Sequence, residues 1–157
     1  MKFKLKDVSF ENINFIKKKL NDSQVVNIKY NDDIFDFQTP KVIINNIFKQ
    51  NDREYISLKI IGNEACKKFF LKINEIESHF HKKLNGTIKS IFIDECFNVK
   101  ISNVPKVYDS NGNNINYYSL LKGMEVICLL NYSKLWIDNL NEISYNLNVR
   151  EIMLLKN

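Results

Sequence analysis

One segment constrains this chain more than any other. Residues 64–84 carry apolar side chains at Ala65, Phe69, Ile73, Ile76, Phe80 and Leu84, stepping by four or three, while Lys68, Lys72, Glu75, His79, Lys82 and Lys83 cover most of the rest. That spacing predicts a single long amphipathic helix. Asn63 is a good N-cap residue and Asn85-Gly86 the expected C-terminal punctuation. Its one apolar stripe must be buried against something, and the rest of the chain offers a sheet.

Nearly everywhere else the apolar period is two. Val26, Ile28 and Tyr30 alternate with Val25, Asn27 and Lys29; Asn31-Asp32-Asp33 supplies a turn and residues 34–38 resume, which together read as a hairpin. Pro40 cannot donate to a ladder, so a strand over 42–48 begins after it. Asn51-Asp52-Arg53 turns the chain into a strand over 55–61. Beyond the helix, strands are expected over 87–93, 98–102, 124–131, 135–137 and 144–155, with a turn at 109–114. Residues 12–20 fit either a short amphipathic helix or an edge strand. The predicted fold class is mostly β, a β-rich α+β chain: an OB-like small barrel or curled antiparallel sheet with one long helix over about 64–84.

At 157 residues with no repeat, linker or composition break, the chain reads as a single domain over 1–157. Residues 1–22 form a candidate N-terminal extension and 24–155 the β-rich core. No run approaches the ~18–20 uninterrupted apolar positions of a membrane span. The start, Met1 to Asp7, alternates Lys with other residues and lacks the apolar core of a secretory signal, so an intracellular, non-secreted protein is expected. Cys66, Cys96 and Cys128 are odd in number and widely spaced, which suits small buried hydrophobes and not a disulfide framework or zinc site.

The residues for catalysis are missing as patterns. His79 and His81, two apart on a helix, point roughly 200° from one another and are expected on the helix surface. Gly62, Gly86, Gly112 and Gly123 stand alone, so no phosphate-cradling loop or nucleophile elbow forms. Asp32-Asp33 and Asp94-Glu95 read as solvated acids. No enzyme activity, metal or cofactor is expected.

Binding is what the composition favours. Nineteen aromatic residues, from 11 Phe, 7 Tyr and 1 Trp, are interleaved with lysine. Lys29 and Tyr30, Phe35 and Phe37 before Lys41, Tyr55 before Lys59, then Lys100, and Tyr132, Lys134 and Trp136 are the candidate nucleic-acid contacts. Single strands are held this way, with bases stacked on aromatic faces and phosphates tracked by cations. Tyr117, Tyr118, Tyr132 and Trp136, polar-tipped and near turns, are the better candidates for an exposed platform. Six Lys against two acids in residues 1–20, and the same ratio in 65–89, further suit one electropositive face. The abundance of Asn, Ile and Lys, 23, 21 and 21 residues, partly reflects A/T-rich coding, so position carries more weight than number.

Four pieces of the chain, spanning residues 24–155, resemble a family of small single-stranded-DNA-binding, OB-like proteins of large nucleocytoplasmic DNA viruses. They are Phe37-Gln38-Thr39-Pro40 running into Lys41-Val42; the strand Tyr55 to Ile60 ahead of the Phe69, Ile73, Ile76 stripe; Asn98 to Ile101 followed by Val107-Tyr108-Asp109 and Leu121-Lys122-Gly123-Met124; and Lys134-Leu135-Trp136-Ile137 before the closing strand Ser144 to Val149. Two features depart from the family. Ile47-Phe48-Lys49 replaces a Phe-Gly pair, and the chain ends Leu154-Leu155-Lys156-Asn157 where many single-strand binders have an acidic recruiting tail. Recruitment is then expected to use another surface or not to occur.

The resemblance implies a non-catalytic protein of viral DNA replication, recombination or repair, in the host cytoplasm or viral factory. A barrel face would present Lys29, Lys59 and Lys100 with neighbouring aromatics to single-stranded DNA, or RNA, while the helix plugs one end. Self-association and viral replication proteins are the further partners implied. The alternative is a structural or minor virion protein whose aromatic surface makes protein contacts.

Overall fold

Asn63 caps the helix as expected: its side-chain oxygen accepts the Cys66 N–H at 2.8 Å. At the other end Asn85 takes the left-handed conformation, φ 53°, and closes α1 (Glu64–Leu84). In the computed structural model, which describes residues 5–155, the buried helix stripe is Cys66, Phe69, Ile73, Ile76 and Phe80. Cys66 replaces Ala65, which is exposed, because steps of three, four, three and four from Cys66 stay on one face. The first four residues of the lysine-alternating start and the last two residues of the chain lie outside the described residues.

The remaining elements are β1 (Ile13–Lys19), β2 (Gln24–Tyr30), β3 (Phe35–Gln38), β4 (Val42–Gln50), β5 (Arg53–Ile60), β6 (Thr87–Ile88), β7 (Phe92–Ile93), β8 (Cys96–Ile101), β9 (Lys106–Tyr108), β10 (Asn114–Ile115), β11 (Glu125–Ile137) and β12 (Glu142–Leu154). Five of them close on themselves. β4 pairs β5, β5 pairs β8, β8 pairs β12, β12 pairs β11, and β11 returns to β4 through Glu125↔Ile43 and Val126↔Val42. In chain order this is first, second, third, fifth, fourth and back to first, an OB-like arrangement. The sheet is curled but mixed, not purely antiparallel, since β12 runs parallel to β6, β8 and β9.

Local chemistry sets the turns. Gln50↔Arg53 close β4 and β5 around Asn51 and Asp52, both at positive φ (53° and 61°), the two-residue turn that Asn and Asp tolerate best. Two expectations change and one open alternative closes. Residues 24–38 are not a hairpin: β2 and β3 both run antiparallel to β11, one beside Lys134–Ile137 and the other beside Leu129–Tyr132, and the turn at Asn31-Asp32 is the tip of an excursion between them. The hairpin partner of β2 is β1, which settles residues 13–19 as a strand. The strands expected at 124–131 and 135–137 are one strand, with a register shift between Tyr132 and Leu135.

The core is aromatic. Phe35, Phe37 and Tyr132 lie within 4.9–6.2 Å of one another, centroid to centroid, and Phe69 and Phe80 of α1 pack on Phe37 and Tyr132. The helix thus closes one end of the strand ring. Leu5 and Val8 join the same buried cluster. Buried Glu77 is satisfied by the Tyr145 hydroxyl at 2.6 Å and the Ile91 N–H at 2.9 Å. Gly86 allows the helix end to meet the β11–β12 turn, since a Cβ there would sit 2.7 Å from the Asn141 carbonyl oxygen.

Candidate nucleic-acid interface

Alternation along β5 and β8 sorts their side chains. Ile56, Leu58, Phe97 and Val99 point inward and are buried, whereas Tyr55, Lys59, Asn98 and Lys100 point outward; Ser57 shares their side of the strand but is buried. Tyr55 faces Lys100 directly across the strands, Ser57 faces Asn98, and Lys59 faces Cys96. On the other flank Phe48 of β4 is the cross-strand partner of Tyr55, and the two rings stack with centroids 5.5 Å apart at 20°. Phe48 points outward because the register shift between Ile44 and Asn46 reverses the alternation of β4 after buried Val42 and Ile44.

The row continues past Lys100 to Asn148 of β12 and Asn131 of β11. Ser102 donates to the Asn148 side-chain oxygen at 3.2 Å. A polar notch of about 250 Å³, bounded by Ser102, Pro105, Asn131, Asn148 and Arg150, borders it. Arg150 is committed to Asp36, at 2.7 Å.

Three cations meet on this side. Burial, and then the charges of Arg53 and Lys134, hold the Lys100 ammonium below the ordinary lysine pKa. Among the described residues none of the three forms an ion pair within 4.0 Å. Trp136, two residues beyond Lys134, is 44% exposed. The arrangement supplies stacked aromatic faces beside uncompensated positive charge and amide donors and acceptors, which suits an anionic chain of flat groups.

The eleven residues expected at the interface divide. Tyr55, Lys59, Lys100, Lys134 and Trp136 lie on the outer side of the ring strands. Lys29 is exposed on β2, outside the ring. Lys41 is exposed but bridges to Glu125 at 3.3 Å. Tyr30 turns inward, its ring 5.1 Å from Phe35 and its hydroxyl accepting the Ser9 N–H. Phe35, Phe37 and Tyr132 are 2% exposed or less and are core, a correction to their expected surface role: their strands turn these positions toward α1. Of the four platform candidates, Tyr118 and Trp136 are exposed, while Tyr117 is buried with its hydroxyl donating to Glu54 at 3.0 Å.

Phe48, Arg53, Asn98, Asn131 and Asn148 were not singled out from sequence. For Phe48 the only signal is its place opposite Tyr55 across the Asn51-Asp52 turn; the amides carry none, being drowned in a chain rich in Asn.

His79 is half-buried, stacked on Phe10 at 5.0 Å, and not simply a surface residue; burial and then Lys83 and Lys82 lower its pKa. Cys66 and Cys128 are buried, and burial pushes the Cys128 thiol up to about 12. Among the described residues no three His, Cys, Asp or Glu side chains group to hold a metal ion. No described helix is long and apolar enough to cross a membrane.

No family model matches the chain, and no curated protein matches it. Solved structures do. It is similar to gp2.5, a single-stranded DNA-binding protein encoded by bacteriophage T7, with TM-score 0.57 and 12% identity over 78% of this chain and 87% of that one. It is also similar to the single-stranded DNA-binding protein of bacteriophage Enc34, with TM-score 0.56 and 12% identity over 90% and 89%. The same protein in complex with ssDNA gives TM-score 0.55 and 13% identity over 89% and 93%. The chain therefore has a fold resembling that of phage single-stranded DNA-binding proteins.

Proposed function

We propose that the chain is a non-catalytic single-stranded nucleic-acid-binding protein, with single-stranded DNA as its ligand. We place it with the proteins of large nucleocytoplasmic DNA viruses that it resembles, acting in viral DNA replication, recombination or repair. The observation that carries this reading is the Phe48–Tyr55 stack beside the Arg53, Lys100 and Lys134 cations on the outer side of β5 and β8. In OB folds the second and third strands, together with the loops joining first to second and fourth to fifth, take up oligonucleotides. Here those strands are β5 and β8. Bases stack on Phe48, Tyr55 and Trp136, and phosphates run along the cations and release their counterions.

The test is a titration with fluorescent oligo-dT and a matched duplex at several salt concentrations, following Trp136 emission. Single-strand binding that weakens with salt and quenches Trp136 is expected. No single-strand binding at low salt overturns the proposal and favours a structural virion protein making protein contacts. Oligo-U in parallel separates DNA from RNA preference.

A further inference from the structure

The β1–β2 hairpin lies outside the strand ring, and its two sides differ. Phe15 turns toward α1, its ring 5.9 Å from Phe80 and 5.8 Å from His79. Lys17 and Lys19 follow Phe15 on that side by the period of two. Ile16 and Lys18 point the other way. Register carries that second side onto the proposed interface: Trp136 pairs Val25, which pairs Lys18, and Lys134 pairs Asn27, which pairs Ile16. Lys29, two residues beyond Asn27, shares the side and faces Asn14. Ile16 is 49% exposed, and Lys18 and Lys29 are exposed. Trp136 sits at the seam, with Ser144 of the ring on one flank and Val25 of the hairpin on the other.

We propose that the outer side of the hairpin, through Lys18 and Lys29, extends the single-strand track beyond the ring of strands. This rests on the binding proposed above and gives it a length. From β4 through β5, β8 and β12 to β11 is four strand spacings, ~19 Å, and β2 and β1 add two more, ~10 Å. The hairpin lengthens the track by about half. Lysines at a sheet edge are also a common guard against edge pairing, which predicts no difference between Lys17 and Lys18. A track does predict one, because the two are adjacent in sequence and point to opposite sides.

The experiment compares the full chain with K18E and K17E on a ladder of oligo-dT lengths, read by anisotropy at several salt concentrations. For K18E, affinity should stop rising at a length about one-third shorter than for the unaltered chain. Its log–log salt slope should be smaller by about 0.7 on long oligomers and unchanged on short ones. K17E should follow the unaltered chain throughout. Equal loss in both variants, loss by K18E at every length, or no loss overturns the extension while leaving the interface on β5 and β8 intact. An unaltered chain that binds no oligomer overturns the interface and the extension together.

Discussion

The inner and outer sides of β5 and β8 are built from alternate residues of the same two strands, yet they carry opposite chemistry. Inside, Ile56, Leu58, Phe97 and Val99 join the aromatic cluster of Phe37, Phe69 and Phe80 in the buried core. Outside, Tyr55, Lys59, Asn98 and Lys100 stand beside Phe48 and Arg53. Aromatic rings occur on both sides, so ring content alone says nothing about function. What separates the sides is charge: an aromatic ring bordered by cations is open to solvent and to an anionic ligand, whereas one bordered by aliphatics is packing.

The largest effect expected is on the inner side. Phe37→Ala should lower unfolding free energy by ~3–5 kcal/mol, measured by denaturant titration, with affinity unchanged where the protein remains folded. Next, Tyr55→Ala should weaken oligo-dT binding by ~1–3 kcal/mol and shift stability by less than ~1 kcal/mol, the value of a cross-strand pair. The comparison breaks if Tyr55→Ala unfolds the protein or leaves binding untouched.

A smaller effect sharpens it further. Lys100→Gln should reduce the log–log salt slope by about 0.7, whereas Lys68→Gln on the helix should leave it unchanged. Equal slopes would mean that the outer strands and the helix act only as one diffuse field.

The smallest expected effect is on pH. Lys100 has a lowered pKa, so in the free protein it sheds its proton at lower pH than an ordinary lysine, and a bound phosphate retains that proton. Affinity should therefore fall as pH rises through the alkaline range, and Lys100→Arg should flatten the decline. Stability has the opposite sign. Between the folded and unfolded pKa values the unfolded chain binds more protons, so the contribution of Lys100 to stability rises with pH.

Much of the fold was legible because helix and strand periods are local. The limits of α1, the turn at Asn51-Asp52 and the existence of most strands all follow from residues within a few positions of one another. The hairpin expected over 24–38 failed because a turn at Asn31-Asp32 says that the chain reverses, not which strand it then joins; β11 takes both segments. The interface was legible in part. Tyr55, Lys59, Lys100, Lys134 and Trp136 stand on the outer side, while Phe35, Phe37 and Tyr132 lie in the core. Period-two alternation marks two sides of a strand without saying which one the helix covers when both carry aromatics.

By itself the sequence determined a β-rich chain with one capped amphipathic helix, and an inventory of aromatics interleaved with lysines. Only the tertiary structure decided the closure of β11 onto β4, the phase reversal that turns Phe48 outward, and the meeting of Arg53, Lys100 and Lys134. Propensity and capping act between near neighbours. Strand order and the side of a sheet that is buried depend on contacts between residues tens of positions apart, and alternation within any one strand does not encode them.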